Sequence, residues 1–338
     1  MGAIGVSAKP YDAVLVISFG GPNGIADIRP FLANVLRGRR VSPERVEEVA
    51  LHYERFGGVS PLTGLTLAQA DGLADRLRRD GPDLPVYVGM RNWNPLLEDT
   101  LAEMSRAGVR RAVGFITAAH RSDSSCAQYR QNVLDARRSL FAKGLADVEV
   151  TYVEDWYAHP LFIEATARHV EAAMQRVPDG LRDEARLVFT AHSVPVSMAN
   201  ACRYREQLAE TARLVAARVG RTDHALVYQS RSGRPEDPWL EPDVNVFARS
   251  EHARGVRALV VSPIGFLCDH IEVLFDLDEQ LRETCDGLGL VMERASAVND
   301  APLFIDMMAD VVRRHAARRR LVIVGDPPKP PPGRPVRP

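Results

Sequence analysis

The chain has 338 residues, of which 46% are hydrophobic and 26% charged, a composition typical of folded globular proteins rather than disordered or fibrous ones. Its formal net charge of −1 at pH 7 excludes a general attraction to nucleic acid or to anionic membrane surfaces. Because it also has no apolar run of about 18 residues and no secretory signal, we expect a cytoplasmic protein without stable membrane association. We separately expect it to be a monomer.

Short apolar runs rich in Val, Ile and Phe alternate along the chain with longer amphipathic stretches. The runs are continuous rather than alternating in polarity, which is typical of parallel strands covered on both faces. They predict strands at Ala13–Phe19, Val86–Gly89, Ala112–Thr117, Val148–Val153, Leu187–Ala191, Ala225–Tyr228, Ala258–Ile264 and Leu290–Glu293. A helix is predicted from Pro43, behind the N-cap Ser42, to just before Gly57. Further helices are predicted at Leu67–Arg79, Pro95–Ala107, Ser125–Phe141, Leu161–Arg176, Arg203–Val219, His270–Glu283 and Ala301–Arg319.

This alternation predicts an α/β fold with parallel sheets and right-handed crossovers. About four strands fall on each side of residue 160, so we expect two Rossmann-like, doubly wound lobes with a cleft between them. The predicted organisation is an N-terminal lobe over 1–160, a C-terminal lobe over 161–300, a C-terminal helix over 301–320 and an extended or disordered Pro-rich tail over 321–338. Ligand sites in such folds open at the carboxyl ends of the strands.

Two segments near the start of the chain could bind anions, and each has a simpler interpretation. Gly20–Gly24 matches no phosphate-binding glycine pattern, and Pro22 lacks a backbone N–H, so we interpret the segment as a turn. Arg37, Arg39 and Arg40 could hold carboxylates in bidentate fashion or could simply be a charged surface. Further polar groups follow the third strand, at His120, Ser122, Asp123, Ser124, Ser125 and Tyr129.

His192 directly follows a predicted buried strand. This position places an imidazole at the mouth of the crevice, where it could accept a proton or bind a metal. The alternative is a packed, hydrogen-bonded histidine. The neighbouring Ser193 does not indicate a hydrolase, because no GxSxG pattern surrounds it.

The segment from 263 to 279 is rich in carboxylates. Asp269, Glu272, Asp276 and Glu279 recur at intervals of three and four residues, which places them on one face of a predicted helix. Either this face is solvated, or a divalent cation bound together with His270 compensates its mutually repelling charges.

Arginines precede the Pro-rich tail at Arg313, Arg314 and Arg318–Arg320. Cations are favoured at the C-terminus of a helix by its macrodipole. The alternative interpretation is an arm that docks a partner.

Taken together, these segments resemble the ferrochelatase family from about Tyr11 to about Ala316, and most closely its soluble actinobacterial and firmicute branch. The resemblance implies a chelatase-like fold of two lobes around a porphyrin cleft. It also implies a lyase-class enzyme of heme biosynthesis that inserts Fe²⁺ into coproporphyrin III without an organic cofactor. The matching stretches are Val14–Pro22, Val35–Arg39, His52–Leu62, Tyr87–Pro95, Val188–Pro195, Gln229–Val244 and Pro263–Asp278.

The resemblance also implies roles for individual residues. His192 and Glu272 would face each other across the cleft as the catalytic, metal-handling pair. Independently of the resemblance, we expect Asp276 to be a further metal ligand that, with Glu279, continues the line of carboxylates outward as a route for the hydrated cation. Whether His192 acts as base or as metal ligand stays open. The implied substrate contacts are Phe19, Arg37, His52, Tyr53, Ser60, Gln69 and Tyr129. We add His120 as a substrate contact because it follows the third strand, not because of the resemblance.

Three features depart from the family pattern. Actinobacterial relatives often hold a [2Fe–2S] cluster with one mid-chain cysteine and three tail cysteines. Here Cys126 stands at the mid-chain position but 321–338 contains no cysteine, so we expect no cluster. His120, Arg121 and Asp123 replace aromatic residues, which predicts a more polar pocket wall, and Asn92 stands where some relatives have histidine.

Two other functions remain compatible with the sequence. One is a chelatase for another tetrapyrrole or another metal, which a more polar pocket would favour. The other is a non-catalytic tetrapyrrole-binding protein, which would need only one axial ligand instead of both His192 and Glu272.

Overall fold

Two four-stranded parallel sheets form the framework of the protein. The structure, a computed structural model, describes residues 10–38, 41–122, 127–232 and 236–324. The first sheet has the order β2-β1-β3-β4, and the second repeats it as β6-β5-β7-β8. The strands are β1 (Ala13–Ser18), β2 (Val86–Met90), β3 (Arg111–Ile116), β4 (Glu149–Tyr152), β5 (Arg186–His192), β6 (His224–Gln229), β7 (Ala258–Ser262) and β8 (Val291–Arg294).

The fold class and all eight predicted strands are confirmed, since every strand lies within two residues of its predicted bounds. In each sheet, the strand order reverses beside the first strand of the lobe. Parallel α/β sheets open a crevice at such a switch point, outside the carboxyl ends of the two strands that flank it. The crevices therefore lie above β1 and β3 in one lobe and above β5 and β7 in the other.

Helices cover both sheets. They are α1 (Ile25–Val35), α2 (Pro43–Arg55), α3 (Pro61–Asp80), α4 (Leu97–Arg106), α5 (Gln128–Ala142), α6 (Pro160–Arg176), α7 (Asp179–Arg182), α8 (Val196–Asn200), α9 (Tyr204–Arg218), α10 (Val244–Ala253), α11 (Ile271–Val273), a π-helix (Leu274–Leu281), α12 (Arg282–Leu288) and α13 (Pro302–Val324). The expected cap of α2 is confirmed, because the Ser42 side chain accepts a hydrogen bond from the Arg45 N–H. Helix α10, capped by Asp243, was not predicted.

The C-terminal helix differs from the prediction in length. Helix α13 continues to Val324, so the first residues of the expected tail are helical, and 325–338 lie outside the described residues. Arg313 pairs with Asp80 at 3.5 Å, and Arg314 pairs with Asp310 at 2.7 Å. Because α13 runs to Val324, both arginines lie in the middle of the helix and pair within the chain, so the helix-terminus interpretation is wrong for Arg313 and Arg314.

The glycines after β1 form a turn, as expected. Gly20 has φ +84°, and a Cβ on Gly21 would lie 2.5 Å from the Ser60 Cβ. Glycine is therefore favoured at Gly20 because of the positive φ and at Gly21 because a side chain would collide with Ser60.

The two lobes share one hydrophobic core. A single cluster of buried side chains includes Val14 and Phe115 of the first sheet together with Phe189 and Val260 of the second. Within the part of the chain that the structure describes, no helix is both long and apolar enough to cross a membrane.

Candidate active site

The candidate site lies at the switch point of the second sheet. His192 is the last residue of β5, and the segment that follows β7 packs against the residue before it. A Cβ on Gly265 would lie 2.5 Å from the Ala191 Cβ, and the Gly265 N–H donates to the Thr190 carbonyl at 3.0 Å. This close contact brings the start of α11 next to His192.

The orientation of His192 leaves one ring nitrogen facing the cleft. Its Nδ1 makes a short hydrogen bond to the Ser193 carbonyl, and because a carbonyl only accepts, Nδ1 must carry the hydrogen. The Nε2 lone pair then faces Glu272, whose Oε2 lies 3.8 Å away. Both side chains are accessible, with exposed fractions of 33% and 44%. Two electron-pair donors at this distance favour a proton or a cation between them.

Glu272 is held in place by its neighbour His270. The His270 Nδ1 accepts the Glu272 backbone N–H at 3.2 Å and so caps α11. Burial lowers the pKa of His270, which keeps the ring neutral and able to accept this bond. His270, considered from the sequence as a ligand in a cation site, is therefore a helix cap that orients Glu272.

Asp276 lies in the π-helix, one turn beyond Glu272. Its Oδ2 accepts a short hydrogen bond from Ser230 Oγ and another from Gln229 Nε2 at 3.3 Å. Burial is the main cause that raises the Asp276 pKa to about 6, and the nearby Glu272 carboxylate raises it further. Asp276 is thus a partly desolvated carboxylate beside the pair.

The predicted line of four carboxylates on one face is wrong in part. Asp269 precedes the helix and pairs with Arg294 at 2.8 Å, while Glu279 pairs with Arg55 of α2 at 3.3 Å. Among the described residues, no three His, Cys, Asp or Glu side chains converge on one metal position. Of the three predicted metal ligands, His192 and Glu272 form a close pair, and Asp276 lies beside it. The three side chains do not surround a single metal position.

Aromatic side chains of the first lobe form a cluster around α1 and α2. Phe19, Tyr53 and Trp93 pack in edge contacts around Phe31, with ring centroids 5.7 to 6.5 Å apart. Burial raises the pKa of Tyr53, and the charge of Glu272 raises it further.

His52 also reaches across the cleft. Its ring stacks on Phe275 of the π-helix, with centroids 3.7 Å apart and planes inclined by 20°. Burial lowers the His52 pKa. Arg37, another predicted substrate contact, is exposed at the end of α1 and donates to Asn34 Oδ1 at 2.7 Å, while Arg39 and Arg40 lie outside the described residues.

Four predicted substrate contacts are buried in the protein. Ser60 is 4% exposed and caps α3, and Tyr129 is 6% exposed in the core of the first lobe. Gln69 is fully buried and donates to the Asn299 carbonyl at 2.8 Å. His120 is 3% exposed, and its Nε2 bonds Thr211 of α9 at 3.0 Å. In this structure these side chains hold protein segments together and leave little surface for a ligand.

Arg121, one of the polar residues expected on the pocket wall after β3, contacts both lobes. The Arg121 backbone N–H donates to Gln207 Oε1 at 2.6 Å, and its Nε donates to Asp155 Oδ1 at 2.6 Å. Asp155 also accepts from Gln207 at 3.1 Å. These polar side chains fasten the segment after β3 to α9, and Asp123 lies outside the described residues.

The cysteines do not fit a [2Fe–2S] cluster. The chain has four, and a four-thiolate cluster would need all of them to converge. Cys268 and Cys285 are buried in different hydrophobic clusters, and burial raises their pKa to about 12 and about 11. Cys126 lies outside the described residues.

The sequence did not single out Gln229 and Ser230 as site residues. Gln229 ends β6 and Ser230 follows it, and the end of β6 lies beside the end of β5. Their position at the carboxyl end of a strand was therefore a signal. Ser230 has φ +61°, and such backbone conformations are often found at functional sites.

Comparison with known sequences places the whole described core in one family. The profile named Ferrochelatase matches residues 11–316. The coproporphyrin III ferrochelatase of Nocardia farcinica is 46% identical over 321 residues, covering 92% of this chain and 90% of that protein. The one from Mycolicibacterium paratuberculosis is 48% identical over 305 residues, covering 89% and 87%. A ferrochelatase from Rhodopirellula baltica is 44% identical over 310 residues, covering 91% and 87%.

Solved structures with the same fold include chelatases. SirB from Bacillus subtilis with Fe³⁺ has a TM-score of 0.55 at 13% identity and covers 91% of this chain and 96% of its own. The sirohydrochlorin chelatase SirB from Bacillus subtilis subspecies spizizenii, in complex with cobalt, has a TM-score of 0.51 at 10% identity, covering 90% and 95%. At such low identity, the likeness concerns the two-lobed fold alone.

Proposed function

This chain belongs to the ferrochelatase family, and on that premise we propose that it inserts Fe²⁺ into coproporphyrin III to give coproheme in heme biosynthesis. The observation that carries the proposal is the pairing of His192 Nε2 with the Glu272 carboxylate at 3.8 Å. Identities of 46% and 48% to coproporphyrin III ferrochelatases over most of the chain support the choice of porphyrin.

The chemistry of metal insertion requires what this pair offers. Two pyrrole N–H protons leave the macrocycle as the metal ion enters. A neutral imidazole with a free Nε2 lone pair can accept one proton, and an adjacent carboxylate stabilises the resulting imidazolium. The same two groups can instead hold the arriving metal ion, because imidazole nitrogen and carboxylate oxygen both suit Fe²⁺.

Asp276 supports delivery of the iron. It lies one turn from Glu272 and is partly desolvated. When Fe²⁺ binds in place of the Asp276 proton, the carboxylate becomes a metal ligand, and the positive charge of the ion compensates the buried negative charge. The open arrangement, in which three ligands do not close around one point, suits a metal that must move on to the substrate.

We propose that Fe²⁺ is a substrate and that no organic cofactor takes part. We also infer that the protein acts as a cytoplasmic monomer. Size-exclusion chromatography with light scattering would test the monomer, and a particle of twice the chain mass would contradict it.

Anaerobic metallation assays test the function. The purified chain is mixed with Fe²⁺ and with coproporphyrin III, protoporphyrin IX or sirohydrochlorin, and absorbance follows the loss of the free ring. We expect the fastest insertion with coproporphyrin III. Faster turnover of another ring or metal would replace the proposed substrate, and tight binding without metallation would identify a carrier.

A further inference from the structure

Arg294 is a largely buried arginine that joins both ends of the helical segment carrying the site. It ends β8, and its side chain is only 14% exposed. Its Nε and Nη2 bind the two Asp278 carboxylate oxygens at 2.6 and 2.8 Å, in bidentate geometry. Its Nη1 binds Asp269 Oδ1 at 2.8 Å. Asp269 precedes α11 and Asp278 lies in the π-helix, so Glu272 and Asp276 fall between the two anchored points.

The anchored carboxylates are fully engaged. Asp269 accepts from Arg294, from the Ala297 N–H at 3.1 Å and from Asn299 Nδ2 at 2.8 Å. Burial opposes the charge on Arg294, but its hydrogen bonds and ion pairs with Asp278 and Asp269 raise its pKa overall. A guanidinium fork fits this geometry, and a lysine ammonium could not bind both carboxylates in the same way.

The network extends to the other lobe. The Asn299 backbone carbonyl accepts a hydrogen bond from Gln69 Nε2 of α3 at 2.8 Å, and the Asn299 side-chain Oδ1 accepts one from the Asp269 backbone N–H at 2.9 Å. A continuous set of hydrogen bonds therefore connects the first lobe to the helix that bears Glu272.

We propose that Arg294 is a positioning residue for metal insertion: through Asp269 and Asp278 it sets where Glu272 and Asp276 stand relative to His192. The proposal rests on the proposed function for its kinetic consequence, but its structural consequence can be measured without any substrate.

Kinetics provide the first test. Arg294→Lys and Asp278→Asn should each lower kcat on the order of 10²-fold, as a small misplacement of reacting groups can, with the KM for porphyrin unchanged. The double variant should be no slower than Arg294→Lys alone, because both remove the same link.

Arg186→Lys is the matched control. Arg186 starts β5, at the opposite end of the strand from His192, is 20% exposed and pairs with the buried Glu251. This variant should lose thermal stability and keep its kinetic constants. If Arg294→Lys behaves like Arg186→Lys, the positioning role is wrong.

Hydrogen–deuterium exchange of the free protein provides the second test. In Arg294→Lys and Asp278→Asn, faster exchange should be confined to residues 271–288, and in Arg186→Lys it should leave that segment unchanged. Unaltered exchange over 271–288 would overturn the proposal even if the wild type metallates no porphyrin. Conversely, if the variants show the expected exchange pattern but the wild type has no activity, only the proposed function is contradicted.

Discussion

At the scale of single residues, the chemistry depends on the gap between His192 and Glu272. His192→Ala removes the lone pair that faces the cleft, so insertion should slow by at least ~10²-fold, the usual effect of losing a positioned acid–base group. Glu272→Gln is nearly isosteric but uncharged and should also suppress insertion. Porphyrin binding should persist in both variants, because we expect other residues to hold the propionates of the ring.

The measurement is the rate of coproporphyrin metallation under anaerobic conditions, with binding followed by porphyrin fluorescence. Arg186→Gln is a suitable control, because Arg186 lies at the amino end of β5. Turnover in His192→Ala equal to that of wild type, with both substrates saturating, would leave His192 with only a structural role.

The ionised form of Asp276, which would attract the metal ion, destabilises the folded protein because the carboxylate is largely buried. Burial raises its pKa from the ordinary 3.8 to about 6, so between these values the folded chain holds a proton that the unfolded chain has lost. Its favourable contribution to stability is thus complete below pH 3.8 and is lost as the pH rises through 6. Asp276→Asn should raise the free energy of unfolding by about 3 kcal/mol at pH 7.5 and by little near pH 3.8.

The same variant should raise the KM for Fe²⁺, because the amide lacks the charge that attracts the ion. Denaturant titrations at several pH values and initial rates at varied iron test the two effects separately. Equal stability gains at both ends of the pH range would show that Asp276 titrates normally in the folded chain.

At the scale of elements, the segment after β3 illustrates how a long-range contact decides the role of a histidine. Burial against α9 lowers the His120 pKa to about 3, so the folded chain excludes a proton that the unfolded chain takes up below pH 6.5. The stabilising contribution of neutral His120 is therefore complete above pH 6.5 and is lost progressively as the pH falls toward 3.

His120→Gln should flatten the acid branch of the stability curve. The glutamine amide can replace Nε2 as the hydrogen-bond partner of Thr211 but does not take up a proton in this pH range, so about 1.4 kcal/mol per pH unit of acid destabilisation should disappear. His252→Gln, at an exposed position on α10, should leave the curve unchanged. Parallel curves for wild type and His120→Gln between pH 6.5 and 4.5 would contradict this account.

The strands and His192 were predictable because local pattern determines them. A continuous apolar run must be buried on both faces, and the residue that ends it must lie at the crevice, as β5 and His192 do. The π-helix was not predictable, because carboxylates spaced three and four residues apart also fit an α-helix. Nor were the roles of His120 and Asp269, whose partners Thr211 and Arg294 are distant in sequence.

At the scale of the whole molecule, the shared core limits how the cleft can open. Side chains from both sheets pack in one cluster, so moving the lobes apart as rigid bodies would expose buried apolar surface. Helix α2 packs instead on α1 through a small separate cluster, made by Ile28, Phe31, Leu32 and Ala50. Elements with few buried contacts move most easily, so α2 is the element expected to admit a flat substrate.

The contacts between α2 and the π-helix oppose that movement. At 3.7 Å, the rings of His52 and Phe275 leave no space for a macrocycle between them, so this stack must separate when a porphyrin enters that side of the cleft. The ion pair of Arg55 and Glu279 is exposed, and such pairs contribute only about 0–1 kcal/mol. The stack, which is partly shielded from solvent, should therefore dominate the closed contact.

Phe275→Ala should consequently raise the association rate constant for coproporphyrin several-fold, in line with the ~1 kcal/mol of an aromatic pair. Arg55→Gln should change this rate constant little at physiological salt, because the exposed charges are already screened. Stopped-flow quenching of porphyrin fluorescence measures both. If Arg55→Gln accelerates binding and Phe275→Ala does not, the ion pair holds the cleft closed. If neither does, the ring enters without displacing α2, from a side of the cleft that His52 does not cover.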